Sequence, residues 1–363
     1  MTLAPTPPEQ RDAAIDVLRG VALFGVLLEN LQHFASPPYA ELVASAAATP
    51  WDRLALGAIR LFCDNKVYLL FAFLFGYGIA LQMLRDARLG AGFVAHHLWR
   101  MALLFLVGVG NLFLWTGDIL STYAVLGCLL LPLRHRSDAA LARLAAGLVA
   151  APGLALAGAT IAAAAHPGLR AALGLDVAAL VYPVRQSCFA FAMFALGLAA
   201  GRRRLLSDGD WLEQAARSLP LAFGVGLCGN LAFAVLESAA PAPLGPGALA
   251  REATLAVAAP ALAFGYAVAI LRWARRTRPH AALAAVGRTT LSNYLLQSAL
   301  GTGVVARLGP IHPPAGFALT LAIFALQAAA STRWLARFRF GPVEWLWRSL
   351  AYGRREPFRE ALP

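Results

Sequence analysis

Hydrophobic residues along this chain are gathered into long apolar windows separated by short polar or basic segments. A helix needs about 20 consecutive apolar residues to cross a bilayer. Windows near this length predict ten membrane-spanning helices, at about Ile15–Phe34, Val67–Met83, Leu98–Leu114, Ile119–Leu133, Leu141–Ala165, Leu180–Ala200, Ala216–Leu236, Ala253–Leu271, Ala281–Val305 and Ala315–Leu335. The pattern therefore predicts an all-α, polytopic transmembrane helical bundle.

Composition supports a membrane protein. Of the 363 residues, 59% are hydrophobic and 14% are charged, and the mean hydropathy is +0.63. Soluble domains carry about 25% charged residues. The net charge of +12 could suggest a nucleic-acid partner, but the arginines lie in short clusters between apolar windows. That distribution is typical of membrane topology, so the sequence indicates the lipid bilayer as partner and excludes nucleic acid.

The basic residues also predict the orientation of the chain. Cytoplasmic loops carry an excess of Lys and Arg. With the N-terminus inside, 24 of the 31 basic residues fall on the inner side and seven on the outer side. Both termini are therefore predicted to be cytoplasmic. We expect residues 1–340 to form the bundle and residues 341–363 to form a cytoplasmic segment with an amphipathic helix that begins at Pro342.

One short polar stretch stands at the start of the second predicted span. Asp64, Asn65 and Lys66 directly precede the apolar run, and Lys66 is the only lysine in the chain. Ionisable groups at such a position are costly unless they reach water, an interface or each other. Lys66 either pairs with Asp64 and extends to the surface, or contributes a compact ammonium group to a functional site.

Further polar residues are predicted at the outer side of the membrane. They are Asn30, His33, Asp64, Lys66, Trp115, Asp118 and Tyr123. Asp118 follows a tight turn and is placed to cap the fourth span. In the ninth span Asn293 and Gln297 are four residues apart and share one helical face. That face either makes interhelical hydrogen bonds without chemistry or lines a polar pocket that opens outward.

A second polar group is predicted at the inner side. Asp16 and Arg19 are three residues apart and can form a helix-surface ion pair. Glu344 and Arg348 can close against them and dock the C-terminal helix. Alternatively, Arg19, Arg100 and Arg348 form an anion site for a phosphorylated carrier, because guanidinium groups bind phosphate through paired hydrogen bonds.

Signals for a specific chemistry are sparse. The four cysteines have no metal-ligand spacing, so no metal site is predicted, and they are expected to act as small hydrophobic residues. The chain shows neither a Ser-His-Asp order nor a phosphate loop. Among the histidines, His33 stands out, because it lies one helical turn beyond Asn30 at the outer end of the first span.

Five segments together carry a resemblance to a known family. They are IDVLRGVALFGVLLEN, FCDNKVYLLFAFLFGYG, WTGDILSTYAVLG, GRTTLSNYLLQS and GPVEWLWRSLAYG. In this order they resemble the YeiB-like family of bacterial inner-membrane proteins, also called domain of unknown function 418. The resemblance covers almost the whole chain and implies a multi-pass protein of the bacterial inner membrane.

More distantly, the segment DVLRG is similar to transmembrane acyltransferases typified by the lysosomal heparan N-acetyltransferase. That resemblance implies transfer of an acyl group from cytoplasmic acyl-CoA to an acceptor, through a histidine in the first non-cytoplasmic loop. The corresponding loop here, residues 35–63, contains no histidine, and His33 just precedes it. His33 or Asp118 would act as base, while Lys66 and Asn293 would be donors to the oxyanion.

Two other functions remain open from the sequence. A transporter or exporter of a small solute or lipid-like molecule would use the same polar cavity as a path, without covalent chemistry. A scaffold for a partner protein would leave its interior polar groups paired with each other. The acceptor is either a small molecule or a lipid, and a homo-oligomer is compatible with the sequence.

Overall fold

The structure is a computed structural model that describes residues 12–86, 91–239, 242–277 and 280–359. Within these ranges the chain is helical, and its β structure is limited to an isolated bridge between Phe338 and Arg359. The α-helices are α1 (Ala13–Phe34), α2 (Tyr39–Ala44), α3 (Pro50–Phe62), α4 (Val67–Asp86), α5 (Ala91–Leu112), α6 (Leu120–Leu129), α7 (Asp138–Ala165), α8 (Pro167–Arg202), α9 (Gly209–Ala216), α10 (Leu219–Ala239), α11 (Pro246–Arg276), α12 (Ala281–Arg288), α13 (Thr290–Gly303), α14 (Pro313–Leu335) and α15 (Pro342–Ala351). The predicted all-α class is confirmed.

Seven helical segments in the described part of the chain are long and apolar enough to cross a membrane. They are Pro50–Arg85, Gly92–Leu112, Asp138–Ala165, Leu180–Arg202, Leu219–Ala239, Pro246–Arg276 and Pro313–Leu335. These segments identify a multi-pass membrane protein. The first predicted span, α1, is outside this set, and its sequence includes Asp16, Arg19 and Glu29. The fourth corresponds to α6, which has only 10 residues.

The ninth predicted span, residues 281–305, is helical over most of its length but is interrupted by one residue between α12 and α13. Thr289 separates α12 from α13 with φ −113° and ψ 32°. Its Oγ1 donates to the carbonyl oxygen of Ala285 at 2.9 Å and contacts Ser331 Oγ at 3.0 Å. The Ala285 carbonyl oxygen also accepts the Thr289 N–H at 3.1 Å, and a threonine hydroxyl that bonds to the carbonyl four residues earlier favours a bend in the helix.

Local sequence signals set several helix starts. Asp12 caps α1 by accepting the Ala14 N–H at 3.0 Å. Thr49 and Asp52 form a reciprocal capping box at the start of α3, directly before and after Pro50 and Trp51. The C-terminal helix α15 begins at Pro342, as the sequence predicted.

The chain divides into two compact units. The first comprises the described residues within 1–67, 82–129 and 270–363, and the second comprises those within 68–81 and 130–269. In the first unit α1 packs against α12, α13 and α14. A Cβ atom at Gly287 would lie 1.8 Å from the carbonyl oxygen of Asp16. Glycine is therefore required for the close approach of α1 and α12.

In the second unit α7 and α8 pack along each other, and α8 also contacts the central part of α4. The rings of Phe75 and Phe194 stack with centroids 5.1 Å apart. Arg185 of α8 and Glu252 of α11 form a buried ion pair, with Nη1 and Oε1 2.6 Å apart. Buried charges in a membrane protein are usually paired in this way.

Candidate functional site

The turn between α3 and α4 positions the unique lysine. Asn65 adopts φ +64°, in the left-handed region that asparagine tolerates better than most residues. This conformation lets the Asn65 backbone N–H donate a hydrogen bond to the Glu29 carboxylate of α1. The turn is therefore held to α1 by a backbone contact that the sequence pattern did not reveal.

Lys66 is buried at the start of α4, with only 1% of its surface exposed. Its Nζ donates to the carbonyl oxygen of Arg60 at 2.7 Å. The ammonium group also interacts electrostatically with Asp64 and Glu29. The hypothesis that Lys66 extends to the surface is thus wrong, because its side chain is buried, where nearby acidic groups offset its charge.

The outer end of α1 supplies three polar side chains to this cluster. Glu29, Gln32 and His33 are spaced three and four residues apart, so they share one face of the helix. Gln32 Nε2 donates to Asp64 Oδ1 at 3.0 Å. We call Glu29, Gln32, His33, Asp64 and Lys66 the outer cluster. Asn30 is half-buried next to Glu29 in the same helix.

His33 is the exposed member of the outer cluster. Its imidazole interacts electrostatically with Asp64 and with Arg60. Its ring centroid lies 6.5 Å from that of Trp115. The structure therefore brings together three residues that the sequence predicted at this side, namely His33, Asp64 and Trp115, and keeps the imidazole accessible.

Trp115 lies in the turn between α5 and α6. Its ring packs against Phe34 with centroids 4.3 Å apart. Its indole Nε1 is buried and has no hydrogen-bond acceptor within the described ranges. A buried donor without an acceptor is costly, so this N–H marks a position where a bound ligand oxygen would be stabilised.

Asp118 has a different environment from the outer cluster. Its Oδ2 accepts the Ser121 N–H at 2.9 Å, which confirms the predicted cap, and its Oδ1 accepts from Asn111 Nδ2 at 2.9 Å. The Tyr294 hydroxyl also hydrogen-bonds this carboxylate. Because its oxygens are already engaged, Asp118 is better suited to joining α5, α6 and α13 than to acting as a base. Tyr123 is buried in α6 nearby in sequence.

Asn293 and Gln297 form hydrogen bonds with α14. Asn293 Nδ2 donates to Ser331 Oγ at 3.0 Å, and Gln297 Nε2 donates to Gln327 Oε1 at 2.9 Å. Gln327 Nε2 returns a bond to the Asn293 carbonyl oxygen at 3.1 Å. We call Thr289, Asn293, Gln297, Gln327 and Ser331 the amide network. Its geometry favours interhelical hydrogen bonding over the predicted outward pocket for these two residues.

The three arginines predicted to bind an anion at the inner side lie in two different environments. Arg19 pairs with Asp16 at 2.9 Å, as the spacing predicted. The Arg100 guanidinium lies over the Trp347 ring at 4.5 Å, and that of Arg348 lies over Phe340 at 4.5 Å. Arg100 and Arg348 also interact electrostatically with each other. The structure thus brings Arg100 and Arg348 together at α15.

Arg348 combines positive charge with incomplete pairing. Burial lowers the pKa of its guanidinium, the nearby charges of Arg100 and Arg85 act in the same direction, and Tyr352 and Glu356 oppose them. Its Nε and Nη2 are buried without a hydrogen-bond acceptor in the described part of the chain. Several cations around an unsatisfied guanidinium form an environment that an anion would stabilise.

Glu344 docks α15 by contacts other than those predicted. Its Oε1 accepts the Ser292 N–H at 3.0 Å, and its Oε2 accepts from Ser292 Oγ. Burial raises the pKa of the Glu344 carboxyl, while the hydrogen bonds from Ser292 oppose the shift. The predicted closure of Glu344 against Asp16 and Arg19 is therefore replaced by a cap at the first turn of α13.

Sequence reasoning missed Glu29 in the outer cluster. The available signal was a carboxylate in an otherwise apolar stretch of α1, four residues before His33. Intramembrane carboxylates are functional candidates by default. The described residues contain no group of three or more His, Cys, Asp or Glu side chains that could hold a metal ion.

Comparisons with known proteins identify relatives along the whole chain. The family described as "Protein of unknown function (DUF418)" matches residues 200–354. The chain is 31% identical to "Uncharacterized protein YxaH" of Bacillus subtilis (strain 168), over 98% of each chain. It is 28% identical to "Uncharacterized protein YeiB" of Escherichia coli (strain K12), over 94% of this chain and 96% of the relative. No solved structure matches it.

Proposed function

The chain belongs to the YeiB-like DUF418 family, and from this premise we propose that it is a multi-pass membrane acyltransferase of the bacterial inner membrane. The acyl group would pass from a cytoplasmic thioester carrier to an acceptor hydroxyl or amine at the outer cluster. The observation that carries the proposal is the exposed His33 next to Asp64, in a cluster that also holds the buried Lys66.

The proposed transfer uses His33 as the general base. The acceptor oxygen or nitrogen attacks the thioester carbonyl carbon while the imidazole takes its proton. Collapse of the tetrahedral intermediate breaks the carbon–sulfur bond, and the imidazolium returns the proton to the thiolate. The product is an ester or amide together with a free carrier thiol, so atoms and charges balance without an additional reactant.

Asp64 and Lys66 serve as positioning residues in this proposal. The Asp64 carboxylate lies in electrostatic range of His33 and stabilises the imidazolium as it forms. The Lys66 ammonium group lies in electrostatic range of Asp64 and Glu29 and offsets negative charge in the outer cluster. The indole N–H of Trp115, which has no acceptor in the part of the chain that the structure describes, is a candidate donor to the oxyanion.

The carrier would bind at Arg100 and Arg348, where two atoms of the Arg348 guanidinium have no acceptor among the described residues and Arg85 adds a further positive charge. From Arg100 to Leu112, α5 is about 18 Å long at 1.5 Å per residue, and Trp115 follows three residues later. A carrier anchored at Arg100 must therefore present its thioester at the end of an extended arm. Acyl-CoA has the required negative charge and is the donor we propose.

The test is acyl transfer from labelled acyl-CoA in proteoliposomes that contain the full chain. His33→Ala is expected to lower the rate by about 10²- to 10⁴-fold, the usual contribution of a general base. His135→Ala is the matched control, because His135 is an exposed histidine in a turn of the second unit. Full activity of the His33→Ala variant would reject the assignment of the base.

A transporter is the second candidate, and the buried Arg185–Glu252 pair favours it. Both residues are at least nine-tenths buried, and Glu252 Oε2 and Arg185 Nε have no partner within the described ranges. Buried ionisable pairs in membrane helices often mark the path of an ion or solute. Solute counterflow in the absence of any acyl donor, lost on Glu252→Gln, would support transport over acyl transfer.

A further inference from the structure

The second unit contains a cavity that is separate from the sites described above. Its volume is about 420 Å³, within the roughly 300–1,000 Å³ range of ligand pockets. Residues of α4, α7, α8, α9 and α11 line it. No step of the proposed acyl transfer uses these residues, so the cavity requires an explanation of its own.

The lining of this cavity is apolar except at one end. Leu69, Phe73, Met193 and Phe264 are typical of its walls. Asp138 and Arg203 are its only charged lining residues, and they lie together because Arg203 Nε donates to Asp138 Oδ2 at 2.6 Å. Asp138 begins α7 and Arg203 directly follows α8, so the charged end lies at helix termini.

The stretch of α8 that lines the cavity has about the length of one leaflet. Lining residues of α8 extend from Met193 to Ala200, and Arg203 follows one turn later. Ten residues of helix rise about 15 Å, which is half of the roughly 30 Å hydrocarbon thickness of a bilayer. A ligand that fills this space is therefore apolar along about 15 Å and polar at one end.

The charged end has the composition of a headgroup contact. Arg203 and Arg204 are exposed, and the Arg203 side chain keeps 65% of its surface accessible despite its bond to Asp138. Trp211 lines the cavity at the start of α9. Tryptophan is enriched at the level of lipid headgroups, and arginines near an anionic leaflet are attracted to it.

We propose that this cavity is a binding site for an anionic glycerophospholipid of the bilayer, with one acyl chain inside and the headgroup phosphate at Arg203. The arginines of the charged end complement the phosphate, and the apolar walls complement the chain. The leaflet is the one that the positive-inside bias assigns to the cytoplasm. The site is independent of the outer cluster, so each proposal can fail without the other.

Photo-crosslinking tests the proposal directly. The full chain is reconstituted in phosphatidylcholine vesicles with a small fraction of phosphatidylglycerol that carries a photoreactive group in one acyl chain. We expect labelled peptides to concentrate at residues 193–203 and 260–268. Labelling spread evenly over exposed membrane positions such as Val257 and Leu221, which are 60% and 70% exposed, would overturn the site.

Two variants distinguish the contribution of the lipid acyl chain from that of the lipid headgroup. Ala199→Phe places a ring in the cavity and is expected to lower labelling at 193–203 several-fold, whereas Val257→Phe adds similar bulk to an exposed face and should leave it unchanged. Should Ala199→Phe fail to fold, Arg203→Gln still decides the question, because Arg203 is exposed.

Arg203→Gln is expected to remove the preference for phosphatidylglycerol over a phosphatidylcholine probe with the same photoreactive chain. Arg217→Gln, which removes another exposed arginine of the same unit, should preserve that preference. Equal labelling by the two probes in the unsubstituted protein would contradict the headgroup contact, and an unchanged preference in Arg203→Gln would do the same.

Discussion

The outer cluster and the amide network both place polar side chains inside the first unit, yet they differ in the charge of these side chains. In the amide network Asn293, Gln297 and Gln327 bond to one another across two helices. In the outer cluster a buried ammonium group interacts with two carboxyl groups, and the imidazole of His33 is exposed. Neutral amides bonded to one another hold helices together, whereas charged groups and an accessible imidazole can bind and react.

The largest expected effect comes from removing the buried charge. Lys66→Met leaves Glu29 and Asp64 close together without a compensating cation, so the variant is expected to lose about 3 kcal/mol or more of stability. Thermal unfolding of the purified protein in detergent measures the loss. Arg53→Met, which removes an exposed positive charge from α3, is the control and should have little effect. Equal stability of the two variants would show that Lys66 does not neutralise the cluster.

A smaller effect is expected in the amide network. Interhelical hydrogen bonds in membrane proteins contribute about 0.6 kcal/mol on average and at most about 1.7 kcal/mol. A double-mutant cycle of Gln297→Ala and Gln327→Ala should give a coupling energy in this range. Acyl transfer by Gln297→Ala is expected to remain close to that of the unsubstituted protein. A large loss of activity in Gln297→Ala at unchanged stability would contradict this prediction and would show that Gln297 contributes to the functional site.

Glu344 combines features of the outer cluster and the amide network, because it is an acidic side chain that accepts its hydrogen bonds from neutral groups, including the N–H and hydroxyl of Ser292. Burial raises its pKa in the folded protein, so the folded state retains the proton to higher pH than the unfolded state. Stability that depends on this proton is present below the unfolded pKa and is lost as the pH rises toward the folded pKa.

The pH dependence of Glu344→Gln isolates that contribution. The glutamine of the variant cannot ionise. As the pH rises from the unfolded toward the folded pKa of Glu344, the melting temperature of the variant should therefore increase relative to that of the unsubstituted protein. Unfolding curves at a series of pH values measure the difference. A difference that is constant with pH would contradict the raised pKa.

The sequence predicted those parts of the site that depend on local pattern. The cap at Asp118, the Asp16–Arg19 pair and the helix that begins at Pro342 follow from spacing along one helix or turn. The shared face of Asn293 and Gln297 was predicted for the same reason, but their partners on α14 were not.

What the sequence left undetermined depends on how distant segments meet. The contact of Glu29 with the Asn65 backbone joins segments 36 residues apart in number, and periodicity carries no information about it. The interruption at Thr289 was missed because residues 281–305 are apolar throughout most of their length. The choice between pocket and network for Gln297 required knowledge of where Gln327 lies.

The left-handed backbone conformation of Asn65 restricts which residues can occupy position 65 in related chains. The contact with Glu29 uses the main-chain amide rather than the side chain, so glycine would preserve it and a β-branched residue would oppose it by roughly 1–2 kcal/mol. Related chains that keep this arrangement should therefore vary there only among asparagine, aspartate and glycine, while the neighbouring positions remain free to diverge.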